Sequence, residues 1–197
     1  MAFLPASEFA LSRKISALLA LLMLNGLAIA DIRIGVIASS TGPTAVVGIP
    51  QKQTVALLPS EIGGQKVEYI VLDDASDPTN AVTNVKKLIA EQKVDALIGP
   101  TTTPAALAML DFVAESKTPL VTTVGSSSII QPMDDKKKWV FKTTQNDDLI
   151  AEALIEHMTL HGVKTLGFIG FNDPYGENWF KVFGTMADKA GLKLVVS

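Results

Sequence analysis

Three hydroxyl-rich loops carry most of the chemical potential of this sequence: Ser39-Ser40-Thr41-Gly42-Pro43, Gly99-Pro100-Thr101-Thr102-Thr103-Pro104 and Gly125-Ser126-Ser127-Ser128. Each follows a short apolar run. The second is the most informative. Thr103 directly precedes Pro104, the pairing of a helix N-cap with proline at the first helical position. The first N–H groups of such a helix have no partner inside it, and the positive end of its dipole lies there, so the loop suits an anion. A carboxylate could be held without any arginine, with the threonine hydroxyls adding hydrogen bonds. Ordinary loops and caps favour the same residue types, and at this level both readings stand.

Other candidate chemistries are weaker. The first loop lacks the G-x-G-x-x-G spacing of a dinucleotide site and the G-x-x-x-x-G-K-[ST] spacing of a phosphate loop. His157 and His161 are four apart on an expected helix, but Met158 stands where the H-E-x-x-H pattern needs an acid. A solvated helix end explains the pair better than a metal. Asp73-Asp74 reads as a turn with one residue capping rather than as catalytic carboxylates. Lys136-Lys137-Lys138 reads as a solvated turn. Ser126 to Ser128 have no G-x-S-x-G elbow, and the absence of cysteine removes thiol catalysis. Tyr175, at a helix start, either closes over a ligand or packs against its own helix.

The elements that must position these loops alternate. Apolar runs at Ile32–Ile37, Val67–Leu72, Val94–Ile98, Leu120–Val124 and Trp139–Lys142 read as strands. A weak helix is expected over Pro50–Leu58, ended by Pro59 and a Gly63-Gly64 turn. Asp77-Pro78 caps a helix running to about Gln92, and another runs from Thr103 to about Ser116. Helix Asp148–His161, strand Thr165–Gly170, helix Glu177–Ala190 and strand Leu192–Val196 follow. Strands separated by helices imply parallel pairing with right-handed crossovers. Near-continuous apolar strands fit a sheet covered on both faces. Ligands of such sheets bind beyond the carboxyl ends of the strands, where the hydroxyl loops lie. The polar stretch Thr143–Asp148 is the one candidate boundary, and the βαβ pattern restarts after it.

Residues 1–30 read as a secretory leader. Arg13 and Lys14 supply the positive flank, Ile15 to Leu24 the apolar run, and Ala28-Ile29-Ala30 the cleavage site. The run is short of the roughly 20 residues that span a bilayer. A net charge of −3 argues against a nucleic-acid partner, which would demand a basic face. An exported chain without cysteine must depend on its apolar core rather than on disulfides.

Four stretches carry a family resemblance. They are Ile34-Gly35-Val36 followed by Ser40-Thr41-Gly42-Pro43; Leu72-Asp73-Asp74-Ala75-Ser76-Asp77-Pro78 followed by Ala81-Val82; Ile98-Gly99-Pro100 with its threonines; and Phe171-Asn172-Asp173-Pro174-Tyr175-Gly176. In these stretches, and in their order, the chain resembles the leucine/isoleucine/valine-binding family of periplasmic solute receptors that serve ABC importers.

The resemblance implies a type I periplasmic-binding-protein-like α/β fold: two doubly wound lobes that close on a ligand. It divides the chain into a signal peptide at 1–30, a complete first lobe at 31–142 and the beginning of a second at 143–197. The family's full length is about twice the mature chain, so the chain reads as an N-terminal portion. Carried over residue by residue, Thr102, Thr103 and Ser126 would hold a ligand carboxylate, the Val124 carbonyl would face its ammonium, and Tyr175 would be the second-lobe aromatic. Val47 stands where leucine-type receptors often carry an aromatic. The implied function is a non-enzymatic periplasmic binding component. It would need no cofactor, capture an amino acid or small carboxylate, and dock to a membrane permease. A sensor of the same fold and, less favoured, an exported α/β enzyme are the alternatives.

Overall fold

The computed structural model describes residues 31–196. The leader expected at 1–30 lies outside the described residues. Six strands form one sheet: β1 (Ile32–Ala38), β2 (Glu61–Ile62), β3 (Gln65–Asp73), β4 (Ala96–Ile98), β5 (Leu120–Thr122) and β6 (Val140–Lys142), in the order β2-β3-β1-β4-β5-β6. All pairs are parallel except β2 with β3. The antiparallel β2 was not expected. It forms because Gly63 and Gly64 both take positive φ, the geometry that turns a tight hairpin. Strands β7 (Thr165–Gly167) and β8 (Lys193–Val196) make a separate parallel pair.

Five helices connect these strands: α1 (Ala45–Thr54), α2 (Pro78–Lys86), α3 (Thr103–Ser116), α4 (Asp147–Leu160) and α5 (Pro174–Lys189). Helix α2 starts where expected. The Asp77 carboxylate accepts from the N–H groups of Thr79 and Asn80, and these bonds hold its pKa below the usual carboxylate value. The helix then widens into a π turn over Lys87–Glu91.

Helix α1 departs from expectation. It begins at Ala45, and Pro50 sits inside it rather than at its start. Proline removes only one donor of the ladder, and a close packing contact holds the element in place. At Gly48 a Cβ would lie 2.1 Å from the Ser39 carbonyl oxygen, so the helix rests directly on the backbone at the end of β1.

Two apolar clusters account for the packing. In the larger, Ile37, Leu97 and Leu120 of the sheet meet Ala81, Val85 and Leu88, together with Met109 and Val113 of α3. In the smaller, Ala151 and Ile155 of α4 pack with Phe183 and Ala187 of α5 and with Leu192. The clusters fall on either side of the polar stretch at 143–148.

Candidate functional site

The strand order reverses direction around β1, so the connections leaving β1 and β4 depart to opposite sides and leave a crevice at their carboxyl ends. A pocket of about 360 Å³ occupies that crevice. Pro43, Thr44, Val46, Val47 and Gln51 line one wall, from the first loop and α1. Thr101, Thr102 and Thr103 line the next, with Thr123 and Gly125 from the loop after β5. Phe171, Asp173 and Tyr175 close the side nearest α5. None of these residues is lysine or arginine.

The threonine loop differs in one respect from the expectation. The cap is Thr102, whose side chain accepts from the Ala105 N–H at 3.4 Å, and Thr103 is the first helical residue. Proline tolerates the second helical position as well as the first, because neither N–H has a partner inside the helix. The shift frees Thr103. It is buried, its N–H is one of the orphan donors of α3, and its hydroxyl makes no hydrogen bond among the described residues. Two donors therefore meet at the positive end of a 14-residue helix.

Thr101 and Thr123 are held differently. The Thr101 hydroxyl donates to Gln51 Oε1 at 2.6 Å and accepts from the Ser39 N–H at 2.8 Å. The Thr123 hydroxyl donates to the Pro100 carbonyl at 3.0 Å and accepts from Gln51 Nε2 at 3.2 Å. Each hydroxyl has spent its only proton inward, so toward the pocket it can only accept. Asp173 caps α5, and its Oδ1 takes the N–H groups of Tyr175 and Gly176. The pocket thus has a donor end at Thr103 and acceptors elsewhere.

Of the residues expected at the site, Val47, Thr102, Thr103 and Tyr175 line this pocket. Val124 and Ser126 are buried and do not. The Val124 carbonyl accepts from the Thr144 hydroxyl at 2.8 Å, and the Ser126 and Ser128 hydroxyls are 2.7 Å apart. Residues 123 to 126 alternate as an extended chain does, which turns Thr123 and Gly125 to the pocket and their neighbours away. Sequence reasoning missed Gln51, Thr101, Thr123, Phe171 and Asp173. Gln51 had no visible signal, since it lies in a helix whose start was misplaced. Thr101 and Asp173 lay inside stretches already singled out.

The remaining motifs make contacts within the fold. Asp73 and Asp74 brace the first loop: Asp73 accepts from the Thr41 hydroxyl at 2.7 Å, and buried Asp74 from the Ser39 hydroxyl at 2.6 Å. Burial raises the Asp73 pKa, but bonds from the Ala75 N–H and from Thr41 and Ser40 outweigh it and hold the carboxyl below its usual value. His161 Nδ1 lies 2.8 Å from the His157 carbonyl. Lys136 pairs with Asp111 at 2.7 Å. Among the described residues no group of three or more His, Cys, Asp or Glu could hold a metal, and no helix is long and apolar enough to cross a membrane.

Asp147 ties the two clusters together beside the pocket. Its Oδ2 accepts from the Ser127 N–H at 3.1 Å and from the Asn178 side chain. Its Oδ1 is buried near Gly125, without a hydrogen-bond partner among the described residues. Burial pushes the carboxyl above its usual range; the Ser127 bond, Lys142 and Asn178 oppose this, and Asp148 adds to it. A folded-state pKa above the unfolded one penalises the charged form. The stability this group contributes is present below the unfolded value, near ~3.9, and is lost as pH rises through the folded one. Asp147→Asn is therefore expected to gain stability relative to the parent chain between pH 4 and pH 7. Melting curves of both chains across that range test this; a difference that shrinks with rising pH would refute it.

Comparison with known proteins agrees with the fold. Residues 31–197 match the periplasmic binding protein family. The chain is 27% identical over 189 residues to the Leu/Ile/Val-binding protein BraC3 of Rhizobium johnstonii, a match covering 92% of this chain and 51% of that protein. It is 28% identical over 172 residues to the Leu/Ile/Val-binding protein homolog 3 of Brucella melitensis, covering 84% of this chain and 46% of that protein. Among solved structures, an extracellular ligand-binding receptor from Rhodopseudomonas palustris HaA2 superposes with a TM-score of 0.82 at 48% identity, covering 85% of this chain and 47% of that one. The chain spans about half the length of the relatives it matches. The match over residues 31–197, the reversal of strand order at β1 and the pocket at that reversal agree, and the chain belongs to the periplasmic binding protein family.

Proposed function

We propose that this chain forms the carboxylate-holding side of a solute-binding receptor that serves an ABC importer in the periplasm. The observation that carries the reading is the pair of unspent donors at Thr103, buried at the N-terminus of α3 in a pocket without a basic side chain. A carboxylate accepts from both donors and is stabilised by the helix dipole. The acceptors at Thr101, Thr123 and Asp173 suit an ammonium on the same solute. A branched-chain or related amino acid satisfies both ends. The names of the Rhizobium and Brucella relatives point the same way.

In this reading Val47 and Tyr175 contact the apolar part of the solute, and segment 143–197 begins a second lobe that closes over it. Closure follows when the solute binds the closed arrangement more tightly than the open one. The closed form then docks to a membrane permease. Export depends on the leader at 1–30, cut after Ala30.

NMR titration of the chain with leucine, isovalerate and isoamylamine separates the contributions. Leucine and isovalerate should both shift the amides of Thr102 and Thr103, with leucine the tighter. Isoamylamine, which lacks the carboxylate, should leave those amides unmoved. Equal shifts from isoamylamine, or none from either carboxylate, would reject the proposal.

A further inference from the structure

Behind the pocket lies a second cavity of about 200 Å³ with an almost wholly apolar lining, which includes Val55 and Leu58 beyond α1 and Ile98 of β4. Gln51 and Thr123 are the two residues that line both cavities. The Gln51 amide is half-buried and fixed at both ends, Oε1 by Thr101 at 2.6 Å and Nε2 toward Thr123 at 3.2 Å. A side chain held at two points cannot swing aside without leaving two hydroxyls short of a partner. An apolar solute tail that reached this floor would meet a polar amide in place of the apolar space behind it.

We propose that Gln51 is a specificity-determining residue: its clamped amide partitions the site and limits the length of the apolar tail on the bound carboxylate. This rests on the carboxylate reading of the pocket. The rear cavity is volume beyond the Gln51–Thr123 pair, and a change at position 51 would extend the range of solutes without altering the donors at Thr103. Neither cavity holds a charge at the partition, so the limit is one of volume.

The test uses straight-chain 2-amino carboxylates of four to eight carbons, titrated into the parent chain, Gln51→Ala and Gln51→Leu. Alanine favours the helix that carries position 51, so the first variant is expected to fold. The parent should bind short members best. Gln51→Ala should move the optimum two or more carbons longer, gaining roughly fourfold for each methylene that enters the rear cavity. Gln51→Leu loses the hydrogen bonds but keeps the plug, and should retain the parent's length preference. Adding Val55→Phe to Gln51→Ala should fill the rear cavity and restore the short optimum.

The same length preference in the parent and in Gln51→Ala would overturn the inference. So would a Gln51→Leu chain that tolerates long tails as well as Gln51→Ala does. A crystal structure of Gln51→Ala gives a readout that needs no solute. One continuous cavity running from Thr103 to Leu58 supports the partition, and two cavities still separated overturn it. If the parent bound none of the series, the carboxylate reading would fall by itself, and the cavity geometry would still decide the role of Gln51.

Discussion

Thr103→Val should weaken binding of a carboxylate solute by about 10- to 100-fold while changing the stability of the chain by less than about 1 kcal/mol. The fold-change follows from a hydrogen bond to a charged group, worth about 1.5–3 kcal/mol. The small stability change follows from the structure. The Thr103 hydroxyl has no partner among the described residues, so its removal breaks no hydrogen bond there, and valine keeps the branched shape at a buried position. Helix α3 keeps its cap, because the capping oxygen belongs to Thr102. Titration of parent and variant with leucine, alongside melting curves, separates the two effects. Unchanged affinity would show that the hydroxyl does not meet the solute. A loss of several kcal/mol of stability would show that its role is in the fold instead. Thr102→Val gives the complementary pattern: it removes the cap and costs roughly 0.5–2 kcal/mol, with a smaller effect on affinity.

Gly99→Ala should be among the most damaging single changes to this chain. Gly99 has φ of +108°, a region that side chains rarely enter, and a Cβ there would lie 2.0 Å from the Ile37 carbonyl oxygen. Neither contact can relax cheaply, because Ile37 belongs to the central strand and is itself buried. Backbone strain of about 1–3 kcal/mol and overpacking of similar size add to roughly 2–6 kcal/mol. That is a large part of the stability of a typical domain and lowers the melting temperature by roughly 10 °C or more. Gly63→Ala is the control. Gly63 also has positive φ, +59°, but nothing lies within 4 Å of its would-be Cβ. It should cost only about 1–2 kcal/mol. If the two variants melted together, the contact with Ile37 would not be the cause.

These two positions show what could be read before any coordinates. Gly99 and Thr103 stand in one loop whose composition was visible, and the alternation of apolar runs with amphipathic stretches placed it at a strand end. The parallel sheet and the cap at Asp77 follow from local signals: period, capping residue and proline. The misplaced features were those in which a local signal lost to packing. Pro50 reads as a helix start, yet the contact of Gly48 with Ser39 holds a longer helix around it. Thr103 reads as the cap, yet the hydrogen bond falls to its neighbour. The hairpin partner β2 is only two residues long, too short to leave a periodic trace.

The sequence alone therefore determined the class of fold and the placing of the hydroxyl-rich loops at strand ends. These properties depend on periodicity and on caps, which are written in neighbouring residues. Only the tertiary structure decided which hydroxyls remain free. Thr101, Thr103 and Thr123 are chemically alike, but Gln51, which joins two of them, is 50 residues from Thr101 and 72 from Thr123. Whether a hydroxyl donates, accepts or is already spent depends on partners that only folding brings within 3 Å or so of it, and no local pattern encodes such a partner.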